Sequence, residues 1–98
     1  MNDNYIFINE VGPRDGLQNE KSQISTDDKL TYILGLIESG IKSLEVTSFV
    51  SPKAIPQMAD SKELFSKLKS KIDISSLELP CLVPNIQGYK NAKDLGVK

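Results

Sequence analysis

The sequence predicts an α/β chain in which parallel strands are joined by helices. Three observations carry that expectation. Short apolar runs rich in β-branched and aromatic residues recur at a spacing of roughly 35 residues, the length of a strand-plus-crossover unit. Between them, apolar residues fall at helical spacing. No hairpin signal joins two runs, so successive strands need helical crossovers and run parallel.

In chain order, "YIFINEV" (5–11) reads as a buried strand ended by Gly12 and Pro13. A loop to about residue 24 follows. In "STDDKLTYILGLIESG", Leu30, Ile33, Leu34, Ile37 and Ile41 share one helical face. Ser25 or Thr26 offers an N-cap oxygen, Asp27 and Asp28 complement the positive helix end, and Gly40 stands where a C-terminal glycine belongs. "KSLEVTSF" (42–49) is the second strand, closed by Ser51-Pro52 and Pro56. The next helix is expected over about 57–70, with Met58, Phe65 and Leu68 inward and lysines outward. "SLELPCLV" (76–83) is the third strand, ended by Pro84-Asn85. A third helix then carries Ile86, Tyr89 and Leu95 on one face, with Gly96 after it and Val97 leading toward a further strand.

The order β-α-β-α-β-α suits an open doubly wound sheet or a (β/α)8 TIM barrel. A doubly wound nucleotide fold would more typically carry a glycine-rich turn after its first strand, and Gly12 and Gly16 do not make G-x-G-x-x-G. The barrel is favoured. A barrel needs eight units and about 250 residues, whereas this chain has 98 residues and three units. Residues 1–98 therefore read as an incomplete part of a single barrel domain. Alone, such a piece leaves a sheet edge and apolar helix surface uncovered.

Composition bounds the function. The chain is 39% hydrophobic and 26% charged, with net charge −1, so no electrostatic footprint for nucleic acid or membrane is present. The basic stretch "KELFSKLKSK" alternates with apolar residues, as a solvated helix face does. No secretory or transit signal is evident in "MNDNYIFINEV", and the expected location is cytoplasmic. With no histidine and one cysteine, the chain's own residues make neither a Cys/His zinc site nor a histidine-based catalytic pair.

In both candidate architectures, chemistry collects at the carboxyl ends of the strands. Glu10, Arg14 and Asp15 follow the first strand, Glu45, Thr47 and Ser48 belong to the second, and Asn85 follows the third. A carboxylate such as Asp15 suits a hard cation, and an adjacent arginine suits a thioester or carboxylate oxygen. Glu45 could reach the same centre as a proton-transfer group or a supporting partner. The plainer reading is that Arg14 and Asp15 pair with neighbours and cap the loop, and that Glu45 pairs with a lysine.

The stretches "VGPRDGLQNE" (11–20), "LEVTSFVSPKAIPQMAD" (44–60) and "LVPNIQGYKNA" (82–92) closely resemble the opening of the 3-hydroxy-3-methylglutaryl-CoA lyase family, within the metal-dependent barrel lyases and synthases. The resemblance implies a (β/α)8 barrel using Mg2+ or Mn2+ to cleave 3-hydroxy-3-methylglutaryl-CoA, an acyl-CoA substrate of leucine degradation, to acetyl-CoA and acetoacetate. It implies that Asp15 is a metal ligand, that Arg14 contacts the acyl-CoA carbonyl and stabilises the enolate, and that Glu45 supports the metal-site chemistry. Gln18 and Ser48 occupy matching motif positions as pocket residues, and Lys21 would sit near the pocket mouth toward the CoA end.

The departures are as informative. The family's His-x-His metal ligands, a metal-binding asparagine on a later strand and its catalytic cysteine lie beyond the stretch this sequence covers. Cys81, inside "LPCLV", reads instead as a small buried residue. Ala54 replaces an aromatic often found after S-P-K. The piece alone is expected to be inactive. The rivals are another acyl-CoA lyase or condensing synthase of the same superfamily, and a non-catalytic module that covers its edges by forming a homo-oligomer.

Overall fold

A computed structural model describes residues 6 and 8–97. Three helices and three extended segments alternate as the sequence requires. α1 spans Thr26–Glu38, α2 Ser61–Lys71 and α3 Ile86–Asp94. The extended segments touch through parallel bridges, Glu10 with Leu44, Ser43 with Glu78 and Ser48 with Leu82. The middle segment thus lies between the first and third, the neighbour order of consecutive barrel strands. Backbone bonds fix this register: Glu10 N donates to Ser43 O (3.0 Å) and Glu45 N to Glu10 O (2.8 Å). On the other side, Leu44 N donates to Glu78 O (3.0 Å) and Phe49 N to Leu82 O (2.9 Å).

The core forms where α1 and α2 cover the middle segment. Leu30 and Ile33 of α1, Leu44 and Val46 of the segment, and Leu64, Phe65 and Leu68 of α2 make one buried cluster. The expected core face of α1 is present, with Leu34, Ile37 and Ile41 packed partly buried against that cluster.

Local chemistry sets the helix ends. The Ser25 hydroxyl accepts from Asp28 N (3.1 Å) and Asn85 Oδ1 accepts from Gly88 N (2.7 Å), each satisfying a first-turn donor. α1 and α3 end alike. Gly40 (φ 108°) and Gly96 (φ 84°) adopt the left-handed conformation. Ile41 N then reaches back to Leu36 O and Val97 N to Ala92 O, so the last carbonyls are bonded.

Several expectations need correction. The three runs form isolated bridges rather than full strands among the described residues, and residues 5 and 7 of the first run lie outside them. Ile6 and Ile8 were expected to be buried but are exposed, because no described element packs over the first segment. The helix expected over 57–70 is split into a tight turn at Pro56–Met58 and α2 proper. The Ser61 hydroxyl donates to Met58 O (2.7 Å), taking up a carbonyl that a continuous helix would bond along its own axis. On α3, Ile86 and Tyr89 point outward, and Gly88 and Ala92 are buried instead. Gly88 lies so close to the Phe49 carbonyl that a Cβ there would clash, so the small residues define the packed face.

Candidate functional site

The first segment ends in a wide turn, Gly12–Gly16. Asp15 N donates to Val11 O (2.7 Å), while Leu17 N reaches both Arg14 O and Gly12 O. The reach from Leu17 to Gly12 widens the turn by one residue relative to an α-helix, a form frequent at functional sites. Pro13 at its start is buried and has no N–H to satisfy. Glu10 Oε1 accepts from Gly12 N (2.9 Å), so the residue before the turn braces it.

This turn presents Arg14 to Glu45 on the neighbouring segment. Arg14 Nε donates to Glu45 Oε1 (2.9 Å), and Nη2 lies 2.8 Å from the same oxygen. Both side chains are 18% exposed. The second carboxylate oxygen, Oε2, accepts from Asn9 Nδ2 (3.2 Å). Glu45 therefore fixes the guanidinium, and among the described residues the cation it pairs with is Arg14 and not a lysine. Asp15 differs: its carboxylate is 57% exposed and 3.5 Å from Arg14 Nη1. Arg14, Asp15 and Glu45 come together at one rim.

The other sequence candidates have different surroundings. Gln18 is half-buried, and its Oε1 is buried without a hydrogen-bond donor among the described residues. Lys21 is exposed and makes no ion pair among them. Ser48 is fully buried, its hydroxyl donating weakly to Leu82 O (3.4 Å) and its carbonyl accepting from the Ser61 hydroxyl (2.5 Å). Thr47 turns to the same serine (2.8 Å). Neither hydroxyl is offered to the rim: that of Ser48 goes to Leu82 O and that of Thr47 to the serine that opens α2. Composition missed that role for Ser61, whose only signal is a small polar residue opening a helix.

Asp15 suits a hard cation that keeps most of its waters. Among the described residues, no group of three or more His, Cys, Asp or Glu could hold a metal, so Asp15 is at most one ligand among several. A cavity of about 350 Å³ lies against Phe65, Ile74, Leu77 and Leu79 and touches none of the rim residues. It follows the uncovered side of the third segment and has no part in this chemistry.

Parallel βα units with charged groups gathered at one rim fit a portion of a (β/α)8 barrel. No family model matches the chain. It is 48% identical over 93 residues to the mitochondrial hydroxymethylglutaryl-CoA lyase of Macaca fascicularis, covering 28% of that protein. It is 44% identical over 94 residues to the Arabidopsis thaliana enzyme, covering 19% of it. It superposes on the crystal structure of hydroxymethylglutaryl-CoA lyase from Pseudomonas aeruginosa with a TM-score of 0.84 at 45% identity, covering 91% of this chain and 29% of that one. A similar lyase structure, in complex with coenzyme A and 3-methylmalate, matches with a TM-score of 0.83 at 37% identity. The chain is thus homologous to an N-terminal portion of hydroxymethylglutaryl-CoA lyase, and it spans less than a third of the length of these relatives. The relatives include mitochondrial and cytoplasmic enzymes. Among the described residues, no helix is long and apolar enough to cross a membrane.

Proposed function

We propose that this chain supplies the arginine and one carboxylate of a divalent-metal-dependent lyase that cleaves 3-hydroxy-3-methylglutaryl-CoA to acetyl-CoA and acetoacetate. The observation that carries the reading is the Arg14–Glu45 pair beside the exposed Asp15. A guanidinium has five N–H donors. Glu45 engages Nε and Nη2, which leaves the Nη1 donors beside Asp15 for a substrate oxygen. Arg14 so held can collect the negative charge that grows on the thioester oxygen as the carbon–carbon bond breaks. Its orientation is set before substrate arrives.

Asp15 would hold Mg2+ or Mn2+ together with ligands from outside this segment, and the ion, when bound, supplies acidity to the substrate hydroxyl. Gln18 brings a buried acceptor to the same loop, and Lys21 an exposed cation suited to the CoA phosphates. The near-neutral charge gives no electrostatic reason for a nucleic acid or membrane partner, and an acyl-CoA substrate in a cytoplasmic setting for leucine degradation is part of the same proposal. The exposed Ile6 and Ile8 favour a second reading for the chain standing alone: a self-associating module that covers this edge. A monomer of 10.8 kDa in solution would remove that second reading.

The test is acetoacetate release from 3-hydroxy-3-methylglutaryl-CoA by the enzyme that carries this segment, with and without chelator and as Asp15→Asn. The carboxylate is exposed, so the variant should fold normally and lose turnover by about 100-fold or more. An Asp15→Asn enzyme with unchanged, metal-dependent turnover would sink the assignment of Asp15. A wild-type enzyme with no acetoacetate release would sink the lyase reading. The 98-residue chain alone should release none.

A further inference from the structure

Lys29, in the first turns of α1, is only 3% exposed. A buried ammonium is tolerated only when it is paired and hydrogen-bonded. Lys29 Nζ donates to Asp60 Oδ1 (2.7 Å) and to Gln57 O (2.5 Å). The other Asp60 oxygen accepts from the Thr26 hydroxyl (2.5 Å). The tight turn before α2 is thereby fastened to the start of α1.

Gln57 extends the chain of contacts in the opposite direction. Its Nε2 donates to Glu20 O (2.7 Å). Glu20 N in turn donates to Leu17 O (3.2 Å), and the adjacent Asn19 donates through Nδ2 to Asp15 O (2.8 Å). A cavity of about 240 Å³, lined in part by Gln23, Ser25, Lys29, Gln57 and Asp60, lies beside this path. Residues 23–25 therefore gain little packing on that side.

We propose that Lys29 and Gln57 are positioning residues for the Arg14–Asp15 loop, with the buried Lys29–Asp60 pair as anchor and the Gln57–Glu20 bond as tether. The consequence for turnover rests on the function proposed for Arg14 and Asp15. The tether itself does not.

The experiment is hydrogen exchange by mass spectrometry on the enzyme that carries this segment, with steady-state kinetics on the same samples. Gln57→Ala and Gln57→Glu both remove the donor to Glu20. Each should speed exchange in residues 12–22 and leave α1 and α2 as protected as before. Each should lower kcat about tenfold with KM little changed, the signature of a misplaced group acting in the transition state. Lys29→Met should give the same local signature together with a lower melting temperature, and Lys29→Arg should restore part of it. Unchanged exchange over 12–22 in both Gln57 variants would overturn the proposal. So would loss of the whole fold in both, which would make Gln57 a general stability residue. Faster exchange over 12–22 in an enzyme that never releases acetoacetate would uphold the tether and overturn only the lyase reading.

Discussion

Arg14 and Glu45 lie 31 positions apart and meet through two contacts to one carboxylate oxygen, at 2.9 and 2.8 Å. The pair couples the turn after the first segment to the middle segment, so it holds the fold's first two units in register as well as orienting a cation. Glu45→Gln keeps the shape and removes the charge. With both side chains mostly buried, the loss should be about 1–2 kcal/mol, below the figure for a fully buried pair because water still reaches the site. A double-mutant cycle with Arg14→Met, read by urea unfolding, isolates the coupling. A coupling near zero would mean that solvent screens the pair. In the active enzyme, Glu45→Gln should lower kcat by about 100-fold through the freed arginine.

Two glycines make opposite predictions. A Cβ at Gly88 would lie 2.2 Å from the backbone oxygen of Phe49, which cannot move without dragging the middle segment. Gly88→Ala should therefore destabilise by about 2 kcal/mol or more, although alanine is the better helix former. Gly16, at the end of the Gly12–Gly16 turn, has no positive φ, and a Cβ there meets nothing within 4 Å. Gly16→Ala should leave thermal stability unchanged. Paired melting curves check both, and a Gly16→Ala variant as unstable as Gly88→Ala would contradict the geometry.

The Ser61 hydroxyl sits at the centre of a buried polar knot. It contacts Thr47 Oγ1 (2.8 Å) and donates toward the carbonyls of Ser48 and Met58. Ser61→Ala strands the Thr47 hydroxyl with only a long contact to the Met58 sulfur (3.8 Å), so a loss of about 1–3 kcal/mol is expected. Ser61→Cys should recover little, since sulfur is a weak partner. Chemical unfolding of the three proteins measures the order.

What the sequence made legible follows physical range. The cap at Ser25, the terminal glycines Gly40 and Gly96 and the apolar stripe of α1 all rest on contacts within a few positions, and each was readable. So was the order of the three units, since crossovers are forced on parallel strands. Arg14, Asp15 and Glu45 could be proposed as neighbours, but nothing in "SLEVT" reveals that Glu45 takes Arg14 as its partner. The burial of Lys29 was not legible either, because its partners lie at 57 and 60, far along the sequence. The face of α3 was misread for the same reason. Large residues suggest a packed face by pattern, yet it is the close approach at Phe49 that selects Gly88 and Ala92.

Cys81 offers a prediction in pH. Burial, with the Glu45 charge adding to it, pushes the thiol from its ordinary 9.0 up to about 12, against a lowering hydrogen bond from the Thr47 backbone. The protonated Sγ makes a long contact to Leu79 O (3.7 Å). Between pH 9 and 12 the unfolded chain has released this proton and the folded chain still holds it. The unfolded state then binds fewer protons, so stability falls as pH rises through that window and the term is absent below it. At pH 10 the loss from this group should be about 1 kcal/mol. Cys81→Ala will carry its own packing cost at every pH, so the readout is the difference between wild type and variant at pH 7.5 and at pH 10. That difference should shrink at the higher pH. A constant difference would show that the thiol ionises alike in both states. The same burial makes alkylation by iodoacetamide at pH 8 far slower than for a free cysteine, with labelling restored in urea.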